Sequence, residues 1–130
     1  MKIVLLALFV ALNLCIHAQE MNCKKFKTGY FQNVDHKDGD LFIKRTNKFQ
    51  FETDKVSGVE LKLKVTWIND CTYKLQLISG NDVWNSNPHL PSDTKVIVQI
   101  IETGEDYYIQ VSKIEGIDDI EYRSKIQIVR

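Results

Sequence analysis

From residue 59 to residue 67 the chain alternates strictly, with Val59, Leu61, Leu63, Val65 and Trp67 apolar and Glu60, Lys62, Lys64 and Thr66 polar between them. A period of two is the signature of a half-buried β-strand. The pattern resumes beyond Asn69-Asp70 with Cys71, Tyr73, Leu75 and Leu77, which predicts a hairpin. Antiparallel partners share a face, so a one-residue slip would set leucine against lysine. Trp67 must therefore stand opposite Cys71 or Tyr73, and pairing with Thr72 is excluded. The same reasoning places Val96, Val98 and Ile100 on one face of a later strand. A two-residue loop at Thr103-Gly104 then sets Ile100 against Tyr107 and Val98 against Ile109, with Val111 on the same face. After the turn around Gly116, Ile120, Tyr122, Ile126 and Ile128 read as inward, and Glu121, Arg123, Lys125 and Gln127 as outward.

The first third is less regular. Residues 26–31, 41–45 and 49–53 read as shorter strands separated by turns rich in Asp, Asn and Gly. No segment has a convincing helical period. The pattern predicts an all-β domain, an antiparallel up-and-down meander of about eight strands, because short sequential hairpins leave no room for Greek-key returns. Its single apolar face and its edges are best covered by closure into a small closed or partly open barrel. The long connection 80–93, with Trp84, Pro88, His89, Leu90 and Pro91, is expected to form a lid or an interaction loop.

Ahead of this region, Met1-Lys2, an apolar run over 3–14 and Cys15-Ile16-His17-Ala18 have the order of a secretory signal peptide. Residues 1–18 are expected to be removed after Ala18, leaving residues 19–130 as one exported domain, periplasmic or secreted. The apolar run is shorter than the roughly 18 residues of a membrane-spanning helix, so no membrane span is expected after cleavage. Loss of Lys2 leaves sixteen basic residues against seventeen acidic ones, a balance that offers nothing to nucleic acid. Two of the three cysteines remain, Cys23 and Cys71, and an oxidising compartment favours their pairing.

Candidate chemistry is sparse. His36 and His89 lie at no spacing that resembles a zinc site. In the stretch Asp35-His36-Lys37-Asp38-Gly39-Asp40, aligning Gly39 with the obligatory glycine of a calcium loop would put Val34 and Arg45 at ligand positions. No serine sits in a nucleophile-elbow context, and the paired carboxylates fall in turns. Catalytic residues, metal and cofactor are therefore all expected to be absent. The aromatics carry more information, since alternation turns Trp67, Tyr73, Tyr107 and Tyr122 inward, where their polar tips need partners.

The segments Cys23-Lys24-Lys25-Phe26-Lys27-Thr28-Gly29-Tyr30-Phe31 and Trp67-Ile68-Asn69-Asp70-Cys71-Thr72-Tyr73 resemble a group of small exported bacterial proteins of unknown function that share a C-K-x-F-K-T-G-x-F start and a W-x-x-D-C-x-Y centre. Members sometimes carry a topoisomerase label, for which this chain has neither a nucleotide-binding loop nor a basic surface. The leader followed by a meander also resembles the lipocalin architecture, which implies a small apolar molecule held inside the barrel. The segment Gly29-Tyr30-Phe31 lacks the tryptophan of the lipocalin motif.

The expected function is a non-enzymatic exported domain that binds a small apolar ligand through Trp67, Tyr73, Tyr107, Tyr122 and Trp84. The alternative is a surface interaction module of the cell envelope acting through the 80–93 loop. The strands that carry Cys23 and Cys71, first and fifth of eight, face each other across a barrel. A bond between these residues therefore requires the segment before Phe26 to cross the barrel's floor.

Overall fold

A computed structural model describes residues 20–130; the signal peptide predicted over residues 1–18 lies outside the described residues. The chain runs through β1 (Gly29–Asn33), β2 (Leu41–Arg45), β3 (Phe49–Asp54), β4 (Glu60–Asn69) and β5 (Thr72–Gly80). A short helix, α1 (Asp82–Ser86), leads to β6 (Lys95–Thr103), β7 (Tyr107–Ile114) and β8 (Tyr122–Ile128). Each strand pairs antiparallel with the next, and β8 returns to β1, so the eight form a closed barrel in meander order. The all-β meander expected from the alternation is the observed architecture.

Register follows the pattern best where the pattern is cleanest. Trp67 pairs with Tyr73, Val65 with Leu75 and Leu63 with Leu77, the second of the two permitted registers, and in place of a five-residue loop a bulge at Ile68 lets Asn69 pair with Thr72 across the turn Asp70-Cys71. The Asn69 side chain accepts the Cys71 N–H at 2.9 Å and so shapes that turn. The first expected strand starts too early, because Cys23–Phe26 is a turn of 3₁₀ helix and β1 begins only at Gly29. At the other end, Ile120 precedes β8 and is exposed.

Two strands are turned inside out. In β7 the inward side chains are Tyr108, Gln110 and Ser112, while Tyr107, Ile109 and Val111, expected inside, face outward. The cause is a turn longer than the two-residue loop and a bulge between Ile100 and Glu102, which together bring Thr103 opposite Tyr108. Gly104 makes that turn possible: its N–H bonds the Tyr107 carbonyl at 2.8 Å. A Cβ at Gly104 would lie 2.2 Å from the Tyr107 ring. In β3, likewise, Gln50 and Glu52 point in and Phe49 and Phe51 point out. Since β3 and β7 are four strands apart in a ring of eight, their polar faces oppose one another across the interior.

What these polar faces hold is Arg45, which is 2% exposed at the lower end of β2. Its Nε donates to Gln50 Oε1 at 2.8 Å and its Nη1 to the Phe26 carbonyl at 2.8 Å. Its Nη2 reaches the hydroxyls of Tyr73 at 3.0 Å and Tyr108 at 2.8 Å. The Tyr73 hydroxyl in turn donates to Gln110 Oε1 at 3.1 Å. Burial pushes the Tyr73 phenol well above its usual range despite the Arg45 charge, so it remains a donor. The guanidinium centre also lies 4.7 Å from the Tyr73 ring centroid and 5.0 Å from that of Phe31.

The two ends of the barrel are closed by different devices. Below, the 3₁₀ turn crosses the floor and buries Phe26 against Phe31 and Tyr108. The Asn22 N–H bonds Thr103 Oγ1 at 2.9 Å, Lys25 Nζ bonds the Glu105 carbonyl, and Lys27 pairs with Asp70 at 3.0 Å. The Cys23–Cys71 disulfide, with its Cα atoms 5.2 Å apart, ties this turn to the start of β5. Closing a loop over a separation of 48 residues restrains the unfolded chain by about 4 kcal/mol in the entropic view. Above, α1 is capped by Asn81, whose Oδ1 accepts the Trp84 N–H at 3.2 Å, and it lowers Trp84 onto the barrel mouth. Gly80 permits that approach, for a Cβ there would stand 2.3 Å from Trp84.

Because Arg45 links a strand pair, the floor, β5 and β7, its loss strands several buried acceptors at once. Arg45→Met is expected to lower unfolding stability by at least about 2 kcal/mol. Arg45→Lys should fail to rescue it, since one ammonium cannot reproduce a planar fork. Urea unfolding of the oxidised protein checks both, and an unchanged midpoint in either variant would remove Arg45 from its central position.

Candidate functional site

The five aromatics expected to share one ligand do not converge. Tyr73 is buried and committed to Arg45. Trp67 stacks on Tyr73 with centroids 4.6 Å apart, near the floor, while Lys27 lies 5.1 Å from its own centroid. Tyr107 faces outward, its hydroxyl donating to Glu102 Oε2 at 3.2 Å and its ring 4.5 Å from Lys125 Nζ. Tyr122 has the inward parity but stands at the upper rim, 58% exposed, because β8 begins there, beyond the core. Trp84, at 7% exposure, is the lid, with His89 packed edge-on against it at 5.8 Å.

Beneath that lid the upper interior divides into two walls. Leu61, Leu63, Leu75, Leu77 and Val96 make one with Trp84, and the space between them is about 30 Å³. A small-molecule site ordinarily needs some 300 Å³ or more. The facing wall is polar. Gln50 accepts from Arg45 and donates through Nε2 to Glu52 Oε1 at 2.7 Å, so Glu52 senses the buried cation through an amide. Burial outweighs both that hydrogen bond and the attraction of Arg45, and holds the Glu52 carboxyl above its usual range. Asp54 behaves oppositely. Its partial desolvation works against ionisation, yet His36 Nε2 at 3.0 Å and the N–H groups of Ser57 and Val56 hold it below the usual range.

Space for a partner lies outside. One groove, of about 390 Å³, runs between the end of β5 and the 80–93 loop, lined by Ile78, Ser79, Asn85, Pro88 and Ser92. Trp84 touches it only with the ring already used as the lid. The second, of about 250 Å³, is lined by Tyr30, Phe42, Lys44, Phe51, Thr53 and Val129 on the outer wall of β1–β3. Here the rings are free to be covered, Tyr30 being 60% and Phe51 37% exposed. Lys44 stands among them, its Nζ 5.8 Å from the Tyr30 centroid, and two more lysines flank the groove, Lys55 with Nζ 4.3 Å from the Phe42 centroid and Lys62 with Nζ 5.9 Å from that of Phe51.

None of these outer-wall residues was singled out by the alternation, which marks the inward set and treats the other face as solvent. The signal was nonetheless present: residues 49–53 read Phe-Gln-Phe-Glu-Thr, an alternation whose polar face carries a glutamate and whose apolar face is aromatic. Arg45 gave a similar hint, since it shares parity with Leu41 and Ile43.

The raised Glu52 carboxyl has a definite linkage sign. A native state that holds the proton more tightly than the unfolded chain loses stability as pH rises from the ordinary glutamate range to the raised native value, and is level above it. Glu52→Gln keeps an acceptor for Gln50 without the charge. The variant is expected to be more stable than the parent at pH 7 and to lack this decline, as urea midpoints between about pH 4 and pH 8 will show.

No protein-family model, no curated protein and no solved structure matches the chain, so its residues and their geometry carry the functional reading.

Proposed function

We propose that the domain is a non-enzymatic binding module that acts outside the cytoplasm through the outer wall of its barrel, at the β1–β3 groove. The observation that carries this reading is the inversion of β3. With Gln50 turned inside to serve Arg45, β3 presents Phe49 and Phe51 to the exterior, where Phe51 lines the groove. The interior supports the same view, because Arg45, Gln50, Tyr73, Tyr108 and Gln110 satisfy one another, only the Trp67 indole N–H among the described buried side-chain groups lacks a partner, and the apolar pocket is about 30 Å³. That excludes the apolar ligand expected inside from this proposal. The 80–93 loop is assigned the lid, with Trp84 buried.

The non-enzymatic character rests on the same satisfaction, since a general acid or base must have a proton position open to substrate. Action outside the cytoplasm is supported by the Cys23–Cys71 disulfide and by the signal peptide expected over residues 1–18. Among the described residues no helix is long and apolar enough to cross a membrane.

Amide chemical-shift mapping with phenyl β-glucoside and indole as small probes tests the location. Perturbations are expected at Tyr30, Lys44, Phe51 and Val129, and Phe51→Ser should weaken them at least about ten-fold, as loss of one buried aromatic contact does. Perturbations centred on Leu61, Leu77 and Val96 instead would return the site to the barrel interior.

A further inference from the structure

Pairing across the outer wall sets the groove's side chains in a row. Tyr30 lies opposite Lys44, Lys44 opposite Phe51, and Phe51 opposite Lys62, so that ring and cation alternate from β1 to β4. Adjacent strands are about 4.8 Å apart, which makes the rings recur, and the ammonium groups likewise, on a scale of about 10 Å. Phe49 widens the row below, with Lys62 Nζ between it and Phe51, at 4.4 and 5.9 Å from their centroids.

The charges of this row are uncompensated. Lys24, Lys27, Lys74 and Lys113 have carboxylate partners, and Lys25, Lys37, Lys48, Lys55, Lys95 and Lys125 do not, so what distinguishes the row is the alternation of its free cations with rings. Among the described residues neither Lys44 nor Lys62, nor their neighbour Lys64, takes part in an ion pair. The acid on this face is Glu60, in the next row opposite Thr53.

From this row we infer that the groove binds a linear acidic polysaccharide carrying a carboxylate on alternate sugars; the inference rests on the β1–β3 groove being the binding site. A pyranose offers a flat C–H face that an aromatic ring covers, and a uronate offers an anion to a lysine, so a chain with the acid on every second sugar meets ring and cation in turn. A single-stranded nucleic acid carries charge on every residue and would set half of its phosphates against rings. An extended peptide adds to a sheet by pairing with a free edge, and a closed barrel has none. An anionic bilayer is engaged by protruding side chains, whereas these rings line a concavity of about 250 Å³.

Isothermal titration of the full mature domain with hyaluronan and unsulfated chondroitin oligosaccharides tests the inference, against their carboxyl-reduced forms, a thymidine oligonucleotide and phosphatidylglycerol vesicles. Binding of at least one uronate polymer is expected, at least about ten-fold tighter than its neutral form and weakened as salt rises. Lys44→Gln with Lys62→Gln should cost about ten-fold or more, and Lys74→Gln, at a paired lysine elsewhere, should cost nothing. Equal binding of the neutral form, tighter binding of oligonucleotide or vesicle, or no binding of either polymer would overturn it. If the polymers fail while phenyl β-glucoside still perturbs Tyr30 and Phe51, the occupant is wrong and the groove stands. If the small probes also miss the groove, both readings fall.

Discussion

Everything in this barrel is arranged around one buried guanidinium. Arg45 meets no carboxylate directly; its charge is distributed over an amide, a main-chain carbonyl, two phenols and the faces of two rings. A desolvated cation is tolerated when its nitrogens are hydrogen-bonded, as Nε, Nη1 and Nη2 of Arg45 all are. The partners come from β3, from the floor, from β5 and from β7, so each of those elements must be placed before the cation is satisfied. The requirement is directional in a way that apolar burial is not. It selects one register of the meander from several that would bury similar area.

The same requirement explains the inside-out strands. Gln50 on β3 and Tyr108 and Gln110 on β7 face inward because the cation and its phenols need them there, and the alternating apolar sets of both strands are displaced to the exterior as a result. On β7 the outward Ile109 and Val111 lie half-buried along the neighbouring strands. On β3 the outward set is aromatic and borders a groove.

This is also the line between what the sequence made legible and what it hid. The β4–β5 hairpin was readable because its interior is wholly apolar, so hydrophobicity and orientation carry the same information. In β7 they conflict. Tyr107, Ile109 and Val111 form the stronger apolar series, and against them stand the bulge and longer turn before β7 and the Tyr108–Arg45 bond, between residues separated by 63 positions. No local pattern contains that contact. The disulfide was easier, since two cysteines in a chain expected to be exported favour pairing, and the geometry of opposed strands then required a segment across the floor. The proposed binding face was the hardest part, because alternation describes what a strand buries and is silent about what it offers.

The barrel wall is a single layer, and that has a consequence for how such a protein can change. Lys44 and Arg45 are consecutive residues on opposite faces of β2, as are Gln50 and Phe51 on β3. There is no intervening stratum in which a strain on one side could be absorbed before it reached the other. A substitution that tilts either strand to suit the outer groove must also displace a ligand of the central cation. Changes to the outer groove that keep the fold are therefore confined to exchanges of side chain that leave the backbone still: the outer surface and the buried network share one set of backbone atoms.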